Sequence, residues 1–156
     1  MDTEKQTIEA CNTLLRGELS AVETFQQAIQ KFDGEKDGEN ESIKTLERLL
    51  ADHQESADLL KEKVKALGAV PTESSGMWGV VAQTAAGTGK MFGKTAAVLV
   101  LKAGEKKGRA DYEKVLHDKD VAPECKELIR RTLLPRQMSH IATLQRLKDL
   151  IGQPIE

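Results

Sequence analysis

The sequence predicts an all-α protein, a four-helix bundle made of two helical hairpins joined by a long crossover. Three observations carry that prediction. The apolar supply is aliphatic, with 18 Leu and 16 Ala against five aromatic residues in 156, a composition that favours helices and excludes an all-β fold. Apolar residues recur at steps of three and four along four long segments, each stopped by turn chemistry. A motif also repeats at an offset of 87 residues, Leu14-x-x-Gly17-Glu18-x6-Phe25 returning as Leu101-x-x-Gly104-Glu105-x6-Tyr112. The same offset carries His53 onto His140, Leu60 onto Leu147 and Val64 onto Ile151, as duplication of a hairpin would. The length suits one domain, residues 1–156, with a sizeable core.

The first segment runs from Thr3 to about Lys31, and Thr3 with Gln6 has the spacing of a capping box. The loop Asp33 to Asn40 follows. Its Asp33-x-Glu35-x-Asp37-Gly38 opening resembles a calcium loop, but the twelfth position is Lys44 where a bidentate Glu is needed, so it reads as a solvated acidic turn. The second helix is predicted from Glu41 to Leu67, ended by Gly68 and Pro71. Residues 68–92 form the crossover, rich in Gly and Ser and carrying the single Trp, Trp78. Because long structureless loops are uncommon in compact domains, Met77 to Ala86 is predicted as a short helix along the bundle.

The third helix is predicted from Gly93 to His117. Its opening Gly93-Lys94-Thr95 is no phosphate loop, since Thr88 stands where the first glycine is required and no strand precedes it. The fourth is predicted from Ala122 to Ile151, with Pro123 in its first turn and Gly152 and Pro154 beyond its end. Pro135 lies inside it and predicts a kink, because it lacks the N–H for the carbonyl of Arg131.

The formal net charge of −2 argues against nucleic acid as a partner. Lys90 and Lys94 interrupt the longest apolar stretch, and the first residues, Met1-Asp-Thr-Glu-Lys, do not resemble a signal peptide. The expectation is a cytoplasmic protein with no membrane partner. A homodimer stays open, and no protein partner is indicated. Cys11 and Cys125 are too few for a disulfide scaffold and form no CxxC pair. Helix rise from Glu18 and from His140 places them about 12 Å apart along the bundle, so both are expected to be free thiols.

The candidate site emerges where polar residues interrupt the apolar stripes. Helix 1 reads Ile8, Cys11, Leu14, Leu15, Glu18, Val22, Phe25, Ile29, and helix 2 reads Ile43, Leu46, Leu50, His53, Ala57, Leu60, Val64, Leu67. Helix 3 places Glu105 and helix 4 places His140 on the equivalent faces, with Arg136 or Gln137 one turn earlier. These positions point inward. Within each hairpin the Glu and the His are equidistant from the loop, so each Glu faces its own His at one level. Buried carboxylates need cations. Two readings follow: a pair of Glu–His hydrogen bonds that fixes register, or one metal ion held by Glu18, His53, Glu105 and His140 in tetrahedral or open octahedral N2O2 coordination.

The doubled Leu-x-x-Gly-Glu-x6-aromatic motif resembles the first and third helices of ferritin-like and rubrerythrin-like proteins. The crossover, Gly76-Met-Trp-Gly79 through Phe92-Gly-Lys-Thr-Ala-Ala97, is similar to that of a bacterial ferritin-like family of unassigned function. The resemblance covers nearly the whole chain. It implies a ferritin-like bundle and makes Glu18 and Glu105 candidate ligands of iron, with Tyr112 near them. Di-iron members carry Glu-x-x-His on helices 2 and 4, whereas this chain has Leu50-Ala-Asp-His53 and Gln137-Met-Ser-His140. Two carboxylates are missing, so one iron or zinc ion is expected rather than two, without ferroxidase activity. Asp52 and Glu55 read as solvated charges off the central face. A metal-free bundle serving as a structural or stress-related interaction protein is the alternative.

Overall fold

The structure is a computed structural model that describes residues 2–33, 40–75 and 93–151. Helix α1 spans Thr3–Asp33, α2 Asn40–Ala66 and α3 Gly93–Leu116. The last long helix is built of α4, Pro123–Leu128, a π-helical turn, Ile129–Leu133, and α5, Leu134–Ile151. No strand occurs among the described residues. The short helix predicted at 77–86, most of the first loop and the terminal Gly152 and Pro154 lie outside them.

The helices begin and end for local reasons, and one differs from expectation. Asp2 caps α1: its Oδ1 accepts from the Glu4 N–H at 3.0 Å. Thr3 instead lies within the helix, where its carbonyl accepts from the Thr7 hydroxyl. The predicted capping box does not form because aspartate one residue earlier serves the same orphan donors, while the Gln6 side chain reaches across to Asp118. At the end of α2, Gly68 adopts φ 79°, its N–H bonds the carbonyl of Lys65, and the N–H of Ala69 bonds that of Val64. This is the Schellman arrangement that a left-handed glycine permits.

Pro135 is met by widening rather than by a broken turn. The Leu134 N–H donates to the carbonyl of Ile129, five residues back, closing the π turn immediately before the proline. The extra residue relieves the crowding that the ring imposes on a regular α-turn.

Helix α1 packs along α2 and α3, and α3 packs along α5, while α2 and α5 meet only narrowly. That narrow seam is polar. Arg136 donates to the Asp52 carbonyl and the Ser56 hydroxyl and pairs with Glu55 at 3.0 Å.

The apolar core is divided in two. One cluster gathers Phe25, Phe32, Leu46, Leu101 and Leu144, the other Leu15, Leu60, Tyr112, Ile129 and Leu133. On every long helix the polar residue of the stripe falls between the two sets: Glu18, His53, Glu105, and Gln137 with His140. No helix among the described residues is long and apolar enough to cross a membrane.

The two cysteines require a correction. Their sulfurs lie 3.1 Å apart, both buried, not separated along the axis. The expectation placed Glu18 and His140 at one height. The level of α4 beside α1 is set instead by docking between their starts, where the Ala122 N–H donates to the Thr7 hydroxyl, a contact that rise along each helix does not contain.

Candidate metal centre

Helical spacing brings the polar layer inward, and burial then forces its members to pair. Glu18, His53, Glu105 and His140 are each at most 4 % exposed. His53 sits between two carboxylates: its Nδ1 meets Glu18 Oε2 at 2.5 Å, and its Nε2 meets Glu105 Oε1. Burial works against a charged imidazole here, but Glu18 and Glu105 outweigh it and hold His53 at about 10, far above the ordinary histidine value. The ring is therefore an imidazolium that donates from both nitrogens.

The opposite logic applies to Glu105. Burial raises its carboxyl, yet the His53 cation and the bond from His140 more than compensate and hold it below the usual range. Tyr112 donates its hydroxyl to Glu18 Oε1. Burial first, and then that carboxylate, keep the phenol protonated well beyond its ordinary range.

His140 repeats half of this pattern. Its Nδ1 faces Glu105 Oε1 at 3.3 Å, as the Nδ1 of His53 faces Glu18. Its Nε2 departs, meeting Asp52 Oδ2 at 2.9 Å. The polar layer is thus a chain, Tyr112–Glu18–His53–Glu105–His140–Asp52. One donor atom from each of His53, Glu105 and His140 lies within 4.8 Å of the other two. Glu18 lies on the far ring nitrogen of His53 and Asp52 on the far nitrogen of His140.

Asp52, read from the sequence as a solvated charge, is instead half-buried and bonded to His140. Its spacing from His53 turns it off the central face, toward the α2–α5 seam, where α5 presents His140. Nothing in its spacing pointed to that histidine, since the Asp52 carboxylate meets His140 across the seam while Arg136 pairs with Glu55 and bonds only the Asp52 carbonyl. Glu55 is exposed, as expected, and pairs with Arg136.

Two further features shape the site. Gln137 is the inward residue one turn before His140, and its amide donates to the Glu105 carbonyl at 3.0 Å. It crosses directly over Gly108, where an added Cβ would stand 2.3 Å from its Nε2. Gly108→Ala is expected to eject that amide and to destabilise the protein by about 1–3 kcal/mol, measurable as a lower urea midpoint with an unchanged slope. A Gly108→Ala protein as stable as the parent would show that Gln137 has another resting place.

The second feature is a cavity of about 310 Å³ between α1 and α3, reaching Glu18, His53 and Glu105. Its walls include Gly17 and Gly104, the glycines of the repeated motif, and a Cβ at either would meet nothing within 4 Å.

A helical bundle with a buried histidine–carboxylate centre is the class that fold and site define. The chain belongs to the family described as a domain of unknown function, DUF2383, whose model matches residues 6–118. That span holds Glu18, Asp52, His53, Glu105 and Tyr112, while Gln137 and His140 follow it. Neither the curated proteins nor the solved structures contain a match.

Proposed function

We propose that this is a ferritin-like bundle of two duplicated hairpins that binds one divalent transition-metal ion, iron or zinc, through His53, Glu105 and His140. Two imidazoles and one carboxylate are a donor set suited to either ion, with positions left open. Glu18 and Asp52 take the outer role, each accepting from the ring nitrogen opposite the ligating one and thereby orienting its histidine. Equivalent use of Nδ1 by Glu18–His53 and Glu105–His140 supports the duplication.

The observation that carries this reading is Glu105 Oε2, a buried carboxylate oxygen without a hydrogen-bond partner among the described residues, in the group whose three donor atoms converge. Such an atom is costly unless something binds it. The charge balance also fits: an ion that displaces the His53 proton keeps a cation between Glu18 and Glu105. Full di-iron chemistry is not expected, since Leu50 packs against the apolar core and Gln137 is committed to a backbone carbonyl, where further carboxylates would be needed. The metal-free reading, a polar layer that fixes register in a structural or stress-related interaction protein, is favoured by one observation: His53 already satisfies both nitrogens without an ion.

Anaerobic titration with ferrous iron, and separately with zinc, distinguishes them. Saturation at one ion per chain is expected, with release of about one proton per ion near neutral pH and affinity rising about tenfold per pH unit below the His53 value. Glu105→Gln should lose saturable binding while its helical circular dichroism is kept. Saturation at two ions with fast oxidation on exposure to oxygen would reveal a working di-iron centre, and no saturable binding of either metal would establish the metal-free layer.

A further inference from the structure

A second cluster of reactive side chains lies apart from the polar layer, at the start of the bundle. Cys11 on α1 and Cys125 on α4 are both fully buried thiols. They are 114 residues apart in the chain, yet their sulfurs stand 3.1 Å from one another. Closure to a disulfide needs a shift of only about 1 Å.

The approach follows from how the two helix starts dock. The Thr7 hydroxyl accepts the Ala122 N–H at 2.8 Å, and the Gln6 amide donates to Asp118 Oδ2 at 2.9 Å. These bonds hold the first turns of α1 against the turn that leads into α4; Cys11 follows Thr7 by four residues and Cys125 follows Ala122 by three.

The two thiols are not equivalent. The two sulfurs share a hydrogen bond, and that bond with Cys11 holds the Cys125 thiol below its ordinary value. Burial opposes this, and Lys63 and Lys126 reinforce it. Cys11 is pushed well above the ordinary range by the same bond and by burial. Cys125 is the better nucleophile and Cys11 the partner in contact with it.

We propose that Cys11 and Cys125 form a redox modification site at which a small peroxide converts the pair to an intramolecular disulfide, tying the start of α1 to the start of α4. The Cys125 sulfur attacks one oxygen of hydrogen peroxide. The O–O bond breaks, and the departing hydroxide takes the thiol proton and leaves as water. Cys125 is then a sulfenic acid. The Cys11 sulfur attacks it, the S–S bond forms as the S–O bond breaks, and this second hydroxide leaves as water with the Cys11 proton. Two thiols give up two electrons and the peroxide accepts them. Burial selects the oxidant, since a peroxide is small enough to enter where a bulky disulfide is not.

The test uses the reduced full-length chain treated with hydrogen peroxide, then denatured, alkylated and examined by intact mass and non-reducing peptide mapping. The expected result is a monomer lighter by two hydrogens, with no alkylatable thiol and with the Cys11 peptide joined to the Cys125 peptide. Its melting temperature should rise and return on treatment with dithiothreitol. In Cys11→Ser, dimedone should trap a sulfenic acid on Cys125. If that variant fails to fold, the wild-type mass decides alone. Retention of both alkylatable thiols, oxidation to sulfinic or sulfonic acid without a bridge, or bridges only between chains would each overturn the proposal.

Discussion

His53→Ala is expected to destabilise the metal-free protein by about 3–5 kcal/mol at neutral pH, a large part of the stability of a domain this size. The substitution removes the cation that lies between Glu18 and Glu105, and both carboxylates are at most 4 % exposed. On the acid side the pH dependence should change sign with it. In the wild type the folded His53 value of about 10 lies above the ordinary 6.5, so its contribution is full below about 6.5 and is lost as pH rises through about 10. Glu105 is depressed, so its contribution is present above the ordinary carboxyl value and lost as pH falls through its folded value. The variant should lack the alkaline loss. Its uncompensated carboxylates should instead take up protons, so that it gains stability as pH falls from about 7 toward about 5. Urea unfolding followed by circular dichroism across that range checks both the size and the slope. A variant matching the wild type at neutral pH would mean that the Glu18–His53–Glu105 bonds carry no net stability.

The outer carboxylates should separate from Glu105 in a metal titration. Glu18→Gln and Asp52→Asn are expected to weaken binding by about 10–100-fold each while leaving one ion per chain. Their amide oxygens can still accept from His53 and His140, but without the charge that makes the imidazoles good ligands. The effect should be larger for Glu18, whose side chain is 5 % exposed, than for Asp52, at 37 %, since water screens the latter. Competition against a chromophoric chelator measures both. Complete loss of binding in Glu18→Gln would make Glu18 a direct ligand. Unchanged affinity in both variants would remove the outer role.

Much of the fold was legible in the sequence because it is local. Steps of three and four residues locate the helices to within a residue or two of their observed ends, and the same periodicity turns Glu18, His53, Glu105 and His140 inward. The glycine at 68 stops α2 through its own backbone freedom. The offset of 87 residues equates the two Glu–His pairs, and both pairs do meet through Nδ1. The Asp2 cap and the π turn before Pro135 were less legible, since neighbouring residues competed for the same role or offered more than one way to accommodate a proline.

What only the tertiary structure decided are the contacts that depend on how helices rotate and slide against one another. Periodicity says that a histidine faces inward but not which ring nitrogen meets which carboxylate. The assignment of Glu105 to the middle of the hydrogen-bonded chain, Glu18 with Tyr112 to one end and Asp52 to the other follows from the α1–α3 packing and the polar α2–α5 seam. The meeting of Cys11 with Cys125 is of the same kind. Helix rise fixes distances within a helix, whereas the level of one helix beside another is set by docking contacts such as Ala122 on Thr7, between residues far apart in the chain.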